Sequence, residues 1–316
     1  VDHRPVLLDR VVELLVPALE DGGIFVDATL GRAGHARAVL EAAPRASLIG
    51  IDRDDVALDA SRAHLAPYEE RVRLARGDFK ELTSVLERFG VAQVRGVLLD
   101  LGVSSPQLDD PSRGFSFREG GPLDMRMDTS ASLTAEQVVN EYPERDLTRI
   151  IGRYGEERFA RRVARAIVAA RPIADTEALA DVVRDAIPAA TRRTGGHPAR
   201  RTFQAIRIEV NGELTALERV LEDVVDVLEP GGRVAVLSYH SLEDRMVKNK
   251  FNEESRGCVC PPDFPVCACG AEARIRVLTR KPIRPPADEV EDNPRSSAAK
   301  LRAAERLAVG TNGEAA

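Results

Sequence analysis

The chain has 316 residues, 43% of them hydrophobic, which is enough for one large domain or two ordinary ones around a real core and excludes a disordered chain. Four per cent aromatic residues and no Trp argue against a recognition surface built mainly on stacked rings, and a formal net charge of −6 gives no overall basic footprint for nucleic acid. The four Cys lie between Cys258 and Cys269, too local for a disulfide framework; the first residues form no signal peptide, and no apolar run nears the roughly 18 residues of a membrane span, so a soluble, cytoplasmic protein is expected.

Pro5 opens a predicted helix that Pro17 ends, and strand one, Ile24–Val26, runs into Asp27. The turn Asp27-Ala-Thr-Leu-Gly31-Arg-Ala-Gly34-His35 leads into an Ala-rich helix to about Ala43, an arrangement that lets backbone N–H groups approach a ligand. Strand two, Leu48–Ile51, ends on Asp52; a helix from about Asp55 to Leu65 follows, and strand three, Val72–Ala75, closes on Gly77-Asp78-Phe79. After a helix to Phe89, strand four, Val97–Leu99, passes without a break into Asp100, Gly102 and the polar hook Ser104-Ser-Pro-Gln107. Fourfold alternation of strand and helix predicts an α/β, doubly wound, parallel sheet, whose ligands gather at the carboxyl ends of the strands.

Beyond Gln107 a glycine- and proline-marked loop leads to a stretch, Ser132 to about Ile206, that reads as helix throughout. A discontinuous sheet domain, 1–114 and 206–316, with an inserted helical domain at 115–205, is therefore expected. Near residues 157–170, Arg158, Arg161, Arg162 and Arg165 share one helix face opposite an apolar stripe. Between Arg192 and Arg207 stand five arginines (Arg192, Arg193, Arg200, Arg201, Arg207) and no acid, either a solvated face or a candidate contact for nucleic-acid phosphates. A further helix runs to about Leu228, where Pro230-Gly-Gly232 breaks it. Strand Arg233–Leu237 then ends on Ser238-Tyr-His240-Ser-Leu-Glu-Asp-Arg245; a strand at Arg274–Leu278 and a final helix from about Pro294 to Leu307 complete the chain.

Gly31 and Gly34 alone could serve merely to bend the chain, but with Asp27, Asp52 and Asp78-Phe79 at successive strand ends they describe a nucleoside pocket. An acid at the tip of strand two is placed to hold ribose hydroxyls. The turn reads Gly-Arg-Ala-Gly, not the Gly-x-Gly-x-x-Gly that cradles a pyrophosphate, which disfavours a dehydrogenase and points to a nucleoside cofactor without phosphate, S-adenosylmethionine being the common one.

Seven segments carry a specific resemblance: Asp27-Ala-Thr-Leu-Gly-Arg-Ala-Gly-His35, Asp100-Leu-Gly-Val-Ser-Ser-Pro-Gln-Leu-Asp109, Arg113-Gly-Phe-Ser-Phe117, Pro122-Leu-Asp-Met-Arg-Met-Asp128, Thr202-Phe-Gln-Ala-Ile-Arg-Ile208, His240-Ser-Leu-Glu-Asp-Arg245 and Asn293-Pro-Arg295. Together, and in this order, they resemble the bacterial RsmH (MraW) family. The resemblance implies a class I methyltransferase fold and an S-adenosylmethionine-dependent enzyme that methylates N4 of one cytidine in the decoding region of 16S ribosomal RNA in the small subunit. It places cofactor contacts on Ala33, Gly34, His35, Asp52, Phe79, Asp100 and Gln107. Ala33 stands where the family more often has Gly, and Tyr239 where Phe is commoner, so the shape of the first turn is open if that position needs a positive φ.

The chemistry agrees independently. Cytosine N4 has its lone pair drawn into the ring, so it needs alignment and acceptors for its N–H bonds, which Ser105, the Ser-Pro carbonyls and Asp100 could supply without a metal. Methylation at carbon C5 would need a Cys nucleophile, and no Cys lies near these strand ends in sequence. His240, at a later strand end, could touch the base or assist proton loss, or could be structural. Cys258-x-Cys260-x6-Cys267-x-Cys269 could hold zinc, although the spacing within each pair is shorter than usual. A ribosome-assembly or RNA-binding factor with a retained cofactor pocket is the alternative function.

Overall fold

The computed structural model describes residues 4–117, 120–192, 196–257, 260, 269 and 271–308. Two compact units divide the chain: one comprises Val1–Gly102 with Thr215–Ala316, the other Val103–Leu214. The boundaries fall at 102/103 and 214/215, so residues 103–114 and 206–214, expected in the sheet domain, pack with the helices instead.

The first unit is a seven-stranded sheet in the order β3-β2-β1-β4-β5-β7-β6. Its strands are β1 Gly23–Asp27, β2 Ala46–Asp52, β3 Val72–Arg76, β4 Val94–Asp100, β5 Leu228–Ser238, β6 Ile275–Val277 and β7 Lys300–Arg306. The four pairings from β3 to β5 are parallel, while β7 runs antiparallel to both β5 and β6. Helices α1 Leu8–Leu15, α2 Gly34–Ala42, α3 Asp55–Leu65 and α4 Leu82–Arg88 cover the sheet. Val26, Ile49, Val97 and Leu99 turn to one apolar cluster, and Phe25, Leu48 and Leu98 to another. That division is the period-two alternation of strands buried on both faces.

The second unit contains α5 Ser105–Asp109, α6 Ala135–Glu141, α7 Glu144–Gly155, α8 Ala160–Ala169, α9 Thr176–Ala186, α10 Ala189–Arg192 and α11 Arg200–Asn211. Close backbone approaches hold it. A Cβ on Gly155 would stand 2.5 Å from the Arg201 carbonyl oxygen, and one on Gly114, whose φ is +70°, would stand 2.1 Å from that of Pro122. Asn211 ties the loop after Pro122 to the end of α11, its Oδ1 accepting from Met127 N at 2.8 Å and its Nδ2 donating to Met125 O at 2.8 Å. Two of the signature segments thus meet as framework.

α12 Glu213–Asp223 leads into β5, ending earlier than the helix expected to reach Leu228. Pro230-Gly231-Gly232 is looped out within β5: Leu228 pairs with Val94 and Arg233 with Gly96. After β5 come α13 Ser241–Glu254 and α14 Ala287–Asp292.

The expected final helix over 294–307 is instead a short 3₁₀ turn, Pro294–Ala298, followed by β7. Its Ala-rich sequence favours helix locally. A helix there would leave the β5 edge without backbone partners, and tertiary pairing overrides propensity. The middle of the strand is buried, and two of its polar members share one acid: Arg302 Nε donates to Asp244 Oδ1 at 2.6 Å and Lys300 Nζ to Oδ2 at 3.0 Å. Among the described residues no helix is long and apolar enough to cross a membrane.

Candidate active site

Three adjacent strands, β2, β1 and β4, end on Asp52, Asp27 and Asp100. The turn after β1 is anchored between its neighbours: Ala28 N donates to Leu98 O and Leu30 N to Ile51 O, each at 2.9 Å. Gly31 has φ +52° and Ala33, the residue preceding α2, has φ 63°, so the position that the sequence left open does take the left-handed conformation. An alanine there costs about 1–2 kcal/mol of backbone strain. Its methyl is fully buried, which offsets part of that cost.

Asp52 turns its carboxylate back on the turn, Oδ2 accepting from Gly31 N at 2.8 Å and Oδ1 from Asp54 N at 2.9 Å. Burial raises its pKa against these two hydrogen bonds. Asp27 is 2% exposed and accepts a long bond, 3.2 Å, from Thr29 N. Burial first, with the charges of Asp100 and Asp52 adding, pushes it up to about 8, so it is a neutral acid at pH 7. Phe79 follows β3 in a turn capped by Asp78 and packs on the sheet's apolar cluster.

Asp100 is held from several sides. Its backbone N donates to Thr29 Oγ1 at 2.6 Å, Tyr239 Oη donates to its Oδ1 at 2.9 Å, and His35 Nδ1 stands 3.5 Å from its Oδ2. Burial raises its pKa, the His35 and Tyr239 interactions oppose that, and the charge of Glu243 adds to it. His35 is itself buried and gives Nε2 to the Val6 carbonyl at 2.9 Å, which draws the N-terminal segment over the turn. In that segment Leu7 takes φ 53° with its N–H bound to Glu289 Oε1 at 2.8 Å, and a Cβ on Gly34 would meet Pro5 Cγ at 2.4 Å.

The model of the MraW methylase family matches residues 1–307. The chain belongs to that family. The methylase is 51% identical over 310 residues to ribosomal RNA small subunit methyltransferase H of Heliobacterium mobile, covering 96% of this chain and 99% of the relative. It is 52% identical over 315 residues to the protein of the same name from Paenibacillus sp., covering 96% and 99%. An rRNA methylase structure from Streptococcus thermophilus aligns with a TM-score of 0.44 at 12% identity over 98% of this chain and 99% of that one. The methylase is an S-adenosylmethionine-dependent methyltransferase.

Sequence reasoning named Ala33, Gly34, His35, Asp52, Phe79 and Asp100, and the sheet unit of the methylase carries all six at or beside the ends of β1 to β4. Gln107 belongs to the helical unit, where its Oε1 accepts from Ser104 N at 3.1 Å. The side chains of Ser105 and Pro106 lie outside the described residues. His240 is the N-cap of α13: its Nδ1 accepts from Glu243 N at 3.4 Å, while Glu243 Oε2 accepts from the Tyr239 and His240 N–H groups at 2.8 and 3.2 Å. Its buried Nε2 stands 3.2 Å from Glu243 Oε1 without hydrogen-bond geometry.

Arg161, Arg162 and Arg165 of α8 are exposed, as are Arg158, Arg200 and Arg201. Arg207 corrects the expectation of a basic surface: it is fixed within its own unit by Glu213, with Nε and Nη2 at 2.9 and 2.8 Å from the two carboxylate oxygens. Arg193 and the Arg192 side chain lie outside the described residues, as do Cys258 and Cys267 of the suggested zinc cluster. The sequence did not single out Thr29, Leu7 or Glu289, and it noted Tyr239 only as a departure; none has a motif type that announces its role.

Proposed function

We propose that the methylase transfers a methyl group from S-adenosylmethionine to N4 of one cytidine in the decoding region of small-subunit ribosomal RNA, in the cytoplasm. The observation that carries this reading is the convergence of Asp27, Asp52 and Asp100 on the Gly31–Gly34 turn, in a chain of this family. Asp52, its carboxylate oriented by two backbone N–H groups, takes the ribose hydroxyls; Phe79 lies along the adenine; and the Ala33-Gly34-His35 backbone with Asp100 holds the methionine end. Acids around a turn without a pyrophosphate cradle suit a cationic, phosphate-free nucleoside. When bound, the cofactor supplies an electrophilic sulfonium methyl.

The acceptor nitrogen is a poor nucleophile, so the residues facing it act by positioning and by drawing on its N–H bonds. Asp100 and His240, through its orphan Nε2, are the groups of the sheet unit we assign to that task. The exposed arginines of α8 with Arg200 and Arg201 meet RNA phosphates, and the target base is unstacked to reach the pocket.

The test is transfer of labelled methyl to 30S subunits, followed by nucleoside analysis for N4-methylated cytidine. Asp100→Ala should abolish transfer while leaving the fold intact. Well-folded protein that binds cofactor but leaves no label on rRNA would turn the reading to the assembly-factor alternative. Label on a ring carbon would overturn the assignment to nitrogen.

A further inference from the structure

We infer that Tyr239 is a positioning residue for Asp100, its hydroxyl spanning from the end of β5 to fix one carboxylate oxygen and so orient the carboxylate toward its ligand. The inference rests on the proposed place of Asp100 in the cofactor pocket and goes beyond it by naming what holds the group there.

The placement follows from the backbone. β4 and β5 stay paired to their last residues, with Asp100 opposite Leu237 and Leu101 N donating to Leu237 O at 3.0 Å. Tyr239 therefore leaves β5 beside the point where β4 turns. Its ring lies against that turn: a Cβ on Gly102, whose φ is +103°, would stand 3.2 Å from Tyr239 Cδ2. The Tyr239 N–H is bound to Glu243 Oε2 at 2.8 Å. With the main chain pinned and the ring seated on a bare α-carbon, the hydroxyl has one place to go, and it meets Asp100 Oδ1 at 2.9 Å.

The direction of that bond is settled. Burial, with the charge of Asp100 beside it, keeps the phenol protonated far beyond neutral pH, so it retains the proton with which it donates to Asp100 Oδ1. A donor matters here because Asp100 stands among groups that resist its charge. Glu243 from α13 faces it, and burial adds to that resistance; Tyr239 in turn feels Glu243 and Glu289. His35 from α2 is the other group favouring the anion, at a longer 3.5 Å. Tyr239 thus supplies the short, directed contact and leaves Oδ2 and the remaining lone pairs to the pocket.

Tyr239→Phe removes one oxygen and keeps the ring. Measured by calorimetry against S-adenosylmethionine and S-adenosylhomocysteine across pH, the variant should bind both about tenfold more weakly at neutral pH, as expected for loss of a hydrogen bond to a charged group. The acid limb of the affinity profile should move to higher pH. In an Asp100→Asn background the same substitution should leave the profile unmoved, which ties the effect to this pair and not to Glu243 or His35. An affinity and an acid limb equal to wild type would overturn the inference. Failure of the wild type to bind either ligand, or binding that Asp100→Asn does not weaken, would instead sink the underlying pocket assignment. Should the Phe variant not fold, 3-fluorotyrosine placed at position 239 decides: a more acidic phenol strengthens the bond and should move the acid limb to lower pH, and an unmoved limb refutes the role.

Discussion

Asp27→Asn gives the most direct reading of the charge economy at the strand ends. Asn keeps the size of the side chain, an oxygen to accept from Thr29 N, and, like a protonated carboxyl, a donor on the other branch. Asp27 ordinarily titrates at 3.8 and in the folded protein at about 8. Between those values the unfolded chain carries the charge and the folded chain carries the proton, so the folded state binds more protons than the unfolded one. The stability that Asp27 contributes is therefore complete below about pH 4 and is lost as pH rises toward 8, at up to about 1.4 kcal/mol per pH unit. From pH 5 to pH 7 the wild type should lose up to about 2.7 kcal/mol relative to the variant. Urea denaturation of cofactor-free protein at the two pH values measures this, and titrating groups remote from Asp27 cancel in the comparison. Parallel profiles for wild type and variant would show that Asp27 is ionised in the folded protein and that the description of the strand ends is wrong.

Asp244→Ala should cost about 3–5 kcal/mol in the same assay, because it leaves Arg302 and Lys300 without their shared counter-ion at a site nearly closed to water. Although burial opposes it, the hydrogen bonds from Arg302 and Lys300 hold Asp244 below the usual carboxylate range, so this contribution is kept at neutral pH and lost only as pH falls through that lowered value. A cost under about 1 kcal/mol would show that Asp244 does not matter to the burial of Arg302 and Lys300. Gly114→Ala adds a clash with the Pro122 carbonyl to the strain of φ +70°, whereas Gly90→Ala, at φ +68° in open space, carries the strain alone. Thermal melts should place Gly90→Ala about 1 kcal/mol below wild type and Gly114→Ala at least about 1 kcal/mol lower again, and equal losses would mean the loop gives way freely.

The half of the sheet that alternates regularly was legible in the sequence, since Phe25–Val26, Leu48–Ile51 and Val97–Leu99 are apolar runs that only a strand covered on both faces explains, each ending on the acid the structure finds there. The strands beyond the insertion were less so. Residues 300–306 have the composition of a helix and become a strand because β5 presents an edge, a fact absent from local propensity. The turn residues of the site were readable from their types, and the left-handed state of Ala33 could be posed as a question. Their supports could not: Thr29, Leu7, Tyr239 and Glu289 act through contacts with segments tens to hundreds of residues away, for which sequence spacing carries no signal. Arg207 shows the converse, a charge in a basic run whose partner, Glu213, lies six residues on and turns it inward.

The interruption of the sheet between β4 and β5 has a consequence for how the protein is made. β1 to β4 are close together in the chain, but the neighbour that covers the other edge of β4 begins about 130 residues after β4 ends. At about 5–20 residues per second, a ribosome leaves that edge open for roughly 6–26 s. Val97-Leu98-Leu99 is during that time an uncovered, uncharged, apolar template for strand pairing with another chain. The helical unit, built from local contacts, can fold while the edge waits. The nascent chain is therefore at its most aggregation-prone after the helices have formed and before β5 emerges, and a chaperone that protects this protein has its work in that interval.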